Sequence, residues 1–556
     1  MKKSILKVLA LLMALTLCVG IFGGCTTEIA DPGQTGENGP SGSGKPVSGS
    51  NMSQVNADVY PLDSDKVFTI ATKTKDMNER YFAGLWEEVT GVEVEYAVWD
   101  SEQVRLALAG RTLPDAFYAT TDINKATAFE YGEAGYFVNF MDYIEYMPNF
   151  SRALEEYPDA LTFAQNEDGS VYCLPLLGDT ATKHNVMYVR MDMLREVGWN
   201  DVPKTTDDFL ACIKALQAHY GAEMSDFLAF DGYKSSYMQW DGNVTLAFFF
   251  PSFGELMKTG ITVSADGKQI VLGAATEQYK HLLQFMNEVY ESGAFSKDVY
   301  TKDGNSSKVL ALENKVAISP YMTFMTSENF ESGDLNDLSV LEPLTSQYYD
   351  KQHYYARSEY TWHSAMINAS LPEEDIITLV RWFDSHYAPE SNPLTKDGTV
   401  WGISTWLGRL GTDWVKDDAT NTYEVLPHDG FDSSSNWLNT QGSGTQLYYG
   451  NFMLIEQSGT GLEIKGKGTV EKLLPLKDVP AIEISLLTLT PEESDVYADN
   501  WTDINKYISE ETAKFITGAR DIETEWDAYV ADLEAIGMLD VLAVYQAAYE
   551  RYLEAR

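Results

Sequence analysis

The chain has 556 residues, of which 83 are acidic and 40 are basic, so its formal net charge at pH 7 is −43. A surface this acidic is repelled by nucleic acid and by anionic lipid, which argues against both as partners. The length predicts several domains, or one fold with two lobes, with ample apolar content for a core.

The first 25 residues have the features of an export signal. Three lysines lie within the first seven positions, and the apolar run Val8–Gly20 follows them. A charged segment before a short apolar run is typical of a secretory signal rather than a membrane-spanning helix. The sequence Gly23-Gly24-Cys25 then places small residues before a cysteine, as bacterial lipoprotein processing requires. An ordinary cleaved signal and an uncleaved anchor are the alternatives.

We therefore predict a signal peptide of residues 1–24 and lipidation of Cys25. Acyl chains contribute about 0.8 kcal/mol per buried CH₂, so two or three of them would hold the protein on the cell membrane. Residues 25–56 are rich in Gly, Ser, Pro, Asn and Thr and predict a disordered tether spanning roughly 30 Å. The expected location is extracytoplasmic and membrane-anchored.

The folded part opens with the pattern of a strand, a helix and a second strand. Val67–Ala71 is a short apolar run, an amphipathic stretch follows from Tyr81 to Val89, and Gly91–Tyr96 alternates apolar and polar residues. The pattern continues with a helix at Val104–Ala109 and a strand at Leu113–Tyr118. Such βαβ units predict a parallel sheet covered by helices. Further helical patterns lie at Thr206–Gln217, Glu277–Tyr290, Pro372–Tyr387 and across residues 503–553.

Two cysteines remain after the signal peptide and the lipidation site are set aside. Cys212 lies in a helical pattern with Phe209, Ile213 and Leu216, which favours a buried thiol over a bridge to Cys173.

Several motifs with known chemistry are incomplete in this chain. Gly461–Gly468 resembles a phosphate-binding loop but has glycine where a Mg²⁺-binding hydroxyl is needed, so we expect an ordinary loop. Neither Asp334–Asp337 nor the pair Asp298 and Asp303 completes a Ca²⁺ loop. We therefore expect no cofactor and no catalytic residues, and leave a structural calcium site open.

A set of short motifs, in order along the chain, resembles extracellular solute-binding proteins of family 1, the receptors of carbohydrate ABC importers. The motifs in the first half are Leu113–Tyr118, Asp168–Pro175, Met187–Leu194, Val197–Trp199 and Val202–Phe209. Those in the second half, similar to a large Gram-positive lipoprotein subgroup, are Arg381–Asp384, Ala513–Gly518, Trp526–Tyr529 and Tyr545–Tyr552.

The resemblance implies an α/β fold of the type II periplasmic-binding-protein kind, with two lobes that close around a ligand. It places the chain crossings between lobes near Val171–Thr180, Val316–Tyr321 and Tyr360–Asn368. Lobe 1 would then contain residues 66–176 and 319–362, and lobe 2 residues 180–316 and 364–556.

The resemblance also implies a sugar-binding cleft, in which aromatic rings cover C–H faces and polar groups bind hydroxyls. The aromatic candidates are Tyr118, Tyr237, Trp240, Tyr321, Tyr360 and Trp362. The polar candidates are Lys75, Asp76, Asp122, Asp179, Arg357 and Glu359. Each aromatic candidate has core packing as its alternative, and Trp86, Trp382 and Phe248–Phe250 are expected in the core.

The expected function is capture of an oligosaccharide by a monomeric, lipid-anchored receptor and its delivery to an ABC transporter permease. The alternatives are a secreted glycan-active enzyme and a binding protein for a peptide or a sensor partner.

Overall fold

The computed structural model describes residues 55–120, 123, 125–166, 168–178, 186–233, 244–355, 360–362, 364–444, 447, 453–455, 458–478 and 482–554. Within these residues, no helix is both long enough and apolar enough to cross a bilayer. The predicted lipidation site Cys25 and the predicted signal peptide lie outside the described residues.

Strands and helices alternate through most of the described chain. The strands are β1 (Val67–Thr72), β2 (Glu93–Val98), β3 (Ala116–Thr120), β4 (Pro175–Leu177), β5 (Tyr188–Arg190), β6 (Leu228–Phe230), β7 (Ile261–Val263), β8 (Ile270–Leu272), β9 (Val316–Ser319), β10 (Leu338–Val340), β11 (Tyr354–Tyr355), β12 (Tyr360–Trp362), β13 (Ser364–Ile367), β14 (Trp414–Asp417), β15 (Thr422–Val425), β16 (Met453–Ile455) and β17 (Lys477–Asp478).

The helices include three long ones at the C-terminal end of the described chain. They are α1 (Val55–Val59), α2 (Tyr81–Thr90), α3 (Ser101–Gly110), α4 (Lys125–Glu133), α5 (Pro148–Glu156), α6 (Pro158–Ala164), α7 (Met191–Glu196), α8 (Thr206–Tyr220), α9 (Val244–Phe249), α10 (Glu277–Glu291), α11 (Gly304–Leu312), α12 (Glu373–Ser385), α13 (Ser404–Leu407), α14 (Ser434–Gln441), α15 (Gly461–Gly468), α16 (Pro491–Ile516), α17 (Ile522–Ile536) and α18 (Met538–Glu554).

The first sheet has the strand order β13-β3-β1-β2. β1 is parallel to both neighbours, with Ile70 opposite Tyr96 on one side and Ala116 on the other, while β13 is antiparallel to β3. Apolar side chains fill both faces of β1 and β3, because Ile70 and Tyr118 enter one buried cluster and Phe117 enters the other. The predicted βαβ order is confirmed.

The second sheet has the strand order β10-β5-β9-β6, with β6 parallel to β9. All four residues of the central strand β9 are buried. One face of the sheet contributes to a large core that also contains the predicted helices α8, α10 and α16 to α18. The other face packs against a smaller cluster that includes Tyr188 and Met325.

We define region 1 as residues 60–177 and 364–447, which build the core around the first sheet. Region 2 is residues 186–344 and 482–552, which build the large core on the second sheet. This division differs from the predicted lobes at two segments. Strand β13 pairs with β3, so the chain that follows it belongs with the N-terminal part. Strand β10 pairs with β5, so residues 319–341 stay with region 2.

Two of the predicted crossing segments pair with each other. β4 and β12 form an antiparallel two-stranded sheet in which Leu177 lies opposite Tyr360 and Pro175 opposite Trp362. The second predicted crossing, Val316–Tyr321, instead begins with β9 inside the second sheet. The chain that follows β9 stays with this sheet, because β10 pairs with β5.

Local details correct two further expectations. Gly461–Gly468 is helix α15 rather than a loop. The glycines of this helix allow it to pack closely on its neighbours: a Cβ on Gly461 would lie 2.0 Å from the Met322 carbonyl oxygen. The predicted tether ends two residues early, because α1 begins at Val55. The buried Asn56 amide donates to Asn149 Oδ1 at 3.0 Å and thereby fixes α1 to region 1.

Cys173 and Cys212 are both buried and unbridged, and they lie in different clusters. Burial raises the pKa of the Cys212 thiol to about 12. The side chain therefore packs as a small apolar residue, as its helical pattern predicts.

Candidate functional site

The loops that follow parallel strands lie together at one edge of a sheet, because the carboxyl ends of these strands meet there. In region 1, the parallel strands β1 and β3 lie side by side, and residues 73–76 follow β1. In region 2, β6 and β9 end together and are followed by residues 231–233 and 320–324. Crevices outside the carboxyl ends of strands are where open α/β sheets bind ligands. The loops at these two edges are therefore the candidate site.

The edge of region 2 carries a cluster of aromatic rings. The Tyr321 and Tyr233 ring centroids are 5.6 Å apart, and the Tyr321 and Phe324 centroids are 5.4 Å apart. The ammonium group of Lys308 lies 5.1 Å from the Phe324 centroid. Partial burial next to Tyr321 raises the pKa of Tyr233. We call Tyr233, Tyr321, Phe324 and Lys308 the aromatic edge; its rings are only partly buried and have faces to offer a ligand.

A buried ion pair lies next to the loop that carries Tyr233. Asp231 follows β6 directly, is fully buried, and accepts a hydrogen bond from the Lys302 ammonium group. Lys302 also donates to the Ser296 hydroxyl at 2.9 Å, and the Asp231 amide donates to the Ile318 carbonyl at 2.9 Å. Burial raises the pKa of the Asp231 carboxyl. The pair thus joins the start of the Tyr233 loop to the segment before α11.

Tyr321 is the predicted ligand contact that the structure places in the aromatic edge. Its amide donates to the Ser319 hydroxyl at 3.1 Å, which turns the chain sharply after β9. The sequence motif Pro320-Tyr321 after an apolar strand predicted this position. Tyr233, Phe324 and Lys308 were missed, although an aromatic residue three positions after the strand Leu228–Phe230 is a comparable signal.

Tyr118 is not a surface contact, contrary to its predicted role. Its side chain is fully buried, with ring centroids 5.8 Å from Trp382 and 5.4 Å from His386. Burial raises its pKa well above the ordinary value. The physical reason is that the first sheet is covered on both faces, so the strand residue next to Phe117 also points into a core.

Lys75 and Asp76 lie in the loop after β1 and are exposed, as ligand contacts at the edge of region 1 would be. Asp76 has a positive φ of 57°, and the Arg80 side chain donates to the Lys75 carbonyl at 3.2 Å. The backbones of Tyr360 and Trp362 form β12, with their side chains outside the described part. The remaining candidates, which lie outside the described residues, are Asp122, Asp179, Tyr237, Trp240, Arg357 and Glu359.

Acidic residues weighed as calcium ligands cap helices or form hydrogen bonds and ion pairs within the chain. Asp303 accepts from the Ser306 amide at 2.8 Å at the start of α11, and Asp334 accepts from the Asn336 amide at 2.9 Å. Asp298 accepts from the Ser296 hydroxyl at 2.6 Å. Within the described ranges, no group of three or more His, Cys, Asp or Glu side chains is placed to hold a metal ion.

Comparison with known proteins gives matches in both sequence and fold. A family model of bacterial extracellular solute-binding proteins matches residues 85–327. The fructooligosaccharide ABC transporter substrate-binding protein FusA of Streptococcus pneumoniae is 25% identical over 524 residues, which is 89% of this chain and 92% of FusA.

Two solved structures show the same fold over most of the chain. FusA of S. pneumoniae in complex with kestose has a TM-score of 0.64 at 21% identity and covers 88% of this chain and 100% of its own. An HMO-binding solute-binding protein from Bifidobacterium longum infantis has a TM-score of 0.67 at 16% identity and covers 88% of this chain and 99% of its own. The chain therefore resembles bacterial extracellular solute-binding proteins in sequence and shares the fold of these two structures.

Proposed function

We propose that this protein is the oligosaccharide receptor of an ABC importer. The observation that carries the proposal is the similarity to a fructooligosaccharide transporter substrate-binding protein across 89% of this chain and 92% of that relative. Similarity of this extent spans both regions, so it covers the parts that bind ligand as well as those that build the cores.

The aromatic edge supplies the chemistry that such a ligand needs. A sugar presents apolar C–H faces between rings of hydroxyl groups, and aromatic side chains bind those faces. Tyr321 and Tyr233 follow β9 and β6, where a ligand at the carboxyl ends of the strands would meet them. Lys75 and Asp76, on the corresponding edge of region 1, offer groups that bind hydroxyls.

Closure of one region on the other would complete the site. The chain leaves region 1 after β4 and returns to it after β12, and hinge closure around a ligand is the expected motion of two bodies so connected. Each region alone would offer only part of the contacts, so binding and closure would be coupled. The protein would act as a monomer and pass its ligand to permease subunits.

A thermal-shift screen against neutral oligosaccharides tests this proposal. A ligand that binds only the folded state raises the melting temperature by mass action, with about 2.7 kcal/mol of stabilisation at one hundred times Kd. We expect fructooligosaccharides, or another neutral glycan, to raise the melting temperature. Absence of a shift with every glycan, in a protein that unfolds cooperatively, would contradict the proposal.

We also propose that the protein releases its ligand unchanged and is not an enzyme. No sequence signature of a catalytic nucleophile, metal site or carboxylate dyad supports catalysis. Chromatography of the glycan after prolonged incubation should recover it intact. Product formed at many turnovers per protein molecule would contradict this part of the proposal.

The proposed location is the outer face of the cell membrane, with lipid attached at Cys25. The sequence Gly23-Gly24-Cys25 after an apolar run supports this assignment. Mass spectrometry of the processed N-terminus should find diacylglyceryl-modified Cys25, and Cys25→Ala should release the protein from membranes. An unmodified Cys25, or cleavage at another position, would contradict it.

A further inference from the structure

A cavity of about 610 Å³ lies between region 1 and region 2, away from the carboxyl ends of their strands. One wall is formed by the last turn of α6 and by Gln165, Asn166 and Gly169. The other wall is formed by residues 486–488 and the end of α18. The polar side chains that line it are Thr162, Gln165, Asn166, Thr488, Arg551, Tyr552 and Glu554.

The cavity lies beside the connection between the two regions. Helix α6 packs against both crossing strands, β4 and β12, and also touches residues 484–486 of region 2. Ala160 and Ala164 of this helix enter the core of region 1, while Phe163 enters the core of region 2. Any rotation of one region relative to the other must therefore change the space between these walls.

The polar groups in the walls favour a neutral ligand rich in hydroxyls. The Arg551 guanidinium is already neutralised, since its two terminal nitrogens donate to the Glu493 carboxylate at 2.7 Å and 2.6 Å. The Asn166 side-chain amide donates to the Ser170 carbonyl at 3.2 Å, but its oxygen Oδ1 is buried and accepts no hydrogen bond. The exposed Glu554 carboxylate, which is also part of the wall, disfavours an anionic ligand.

We propose that this cavity is a second binding site, which takes a neutral polyol the size of a monosaccharide or disaccharide. Its volume lies within the range of small-molecule sites, and hydroxyls, amides and the Tyr552 ring line it. Because its walls come from two regions, a molecule bound there favours one relative arrangement of them. By linkage, it then changes the affinity of the oligosaccharide site, and the oligosaccharide changes its affinity in return.

Calorimetric titration of the full chain with D-glucose tests the proposal. Thr162→Phe fills the cavity from the wall of region 1, and Thr378→Phe on α12, outside the cavity, is the matched control. We expect Thr162→Phe to bind one fewer glucose per chain than the wild type and Thr378→Phe. Saturating glucose should also change the oligosaccharide affinity of the wild type about fivefold or more, but not that of Thr162→Phe.

The proposal is overturned if the wild type binds no glucose at millimolar concentrations, or if Thr162→Phe binds it with unchanged stoichiometry. It is also overturned if saturating glucose leaves the oligosaccharide affinity of the wild type unchanged. If Thr162→Phe does not unfold cooperatively, Thr488→Phe on the opposite wall replaces it in the stoichiometry test. The glucose count does not depend on the oligosaccharide, so failure of the proposed function and failure of this site are separate results.

Discussion

Tyr118 and Tyr321 were both predicted to contact ligand, yet their environments differ. Tyr118 is part of β3 and is fully buried against Trp382. Tyr321 lies beyond the end of β9, and its ring is partly exposed. Whether an aromatic residue of a strand is buried depends on what covers that face of the sheet, and the local sequence does not contain that information.

Replacing Tyr321 tests its role in binding. Tyr321→Ala removes a ring from the aromatic edge and should weaken oligosaccharide binding at least about tenfold, which corresponds to 1.4 kcal/mol. Tyr348→Ala is the control, because Tyr348 is an exposed tyrosine stacked on His281. Titration calorimetry provides the measurement. Equal affinities in the two variants would remove Tyr321 from the site.

Asp384 predicts a pH dependence of stability. It is fully buried, and burial raises the pKa of its carboxyl from 3.8 to about 7, although the Asn149 side chain and the Phe150 amide donate to it at 2.7 Å and 2.8 Å. Between pH 4 and 7 the folded state therefore holds a proton that the unfolded chain has lost. This contribution to stability is present below pH 4 and is lost as the pH rises to 7.

The comparison of wild type with Asp384→Asn isolates this contribution. The amide does not titrate, so the unfolding free energy of the wild type should fall relative to the variant as the pH rises from 4 to 7, by up to about 4 kcal/mol. Urea unfolding at several pH values measures the difference. A difference that is constant across this range would show that the carboxyl is ionised throughout.

At the scale of elements, periodicity predicted the type of structure better than its packing. Glu277–Tyr290 has apolar residues at helical spacing, and α10 covers the same residues plus one. Gly461–Gly468 contains glycines that argue against a helix, yet α15 forms there because its glycines pack closely on the Met322 backbone and on Val340. Tertiary contact overrides local propensity in such a segment.

Two glycine substitutions measure this override. Gly461→Ala would bring a Cβ to 2.0 Å from the Met322 carbonyl oxygen, and should cost about 1–3 kcal/mol of stability. Gly84→Ala lies within α2 with no atom within 4 Å of the added carbon, and should stabilise by about 1 kcal/mol. The unfolding midpoints in urea should therefore move in opposite directions. A shift of the same sign in both variants would contradict the packing described for α15.

At the scale of the whole molecule, the class of the fold could be predicted from sequence but the assignment of segments could not. The strand–helix–strand order at residues 67–96 requires a parallel sheet, as the structure has. Whether Ser364–Ile367 joins the first or the second sheet depends on pairing with β3, more than 240 positions earlier in the chain. No local pattern encodes that choice, so residues 364–447 were predicted in the wrong lobe.

The connection between the two regions could also be predicted only in part. The sequence motif Asp168–Pro175 predicted a crossing strand, and β4 lies there, but its partner β12 follows only from the fold. The cavity beside this connection had no signal in the sequence, since its lining residues come from segments more than 300 positions apart.

Calorimetric titration of the purified protein with a fructooligosaccharide such as kestose, with recovery of the sugar afterwards, tests the central claim most directly. The account predicts saturable binding of one oligosaccharide per chain at the aromatic edge and quantitative recovery of intact sugar. If kestose gives no heat of binding, longer fructooligosaccharides and other neutral glycans are titrated in the same way. A cooperatively folded protein that binds none of them, or that returns them cleaved, would contradict the claim.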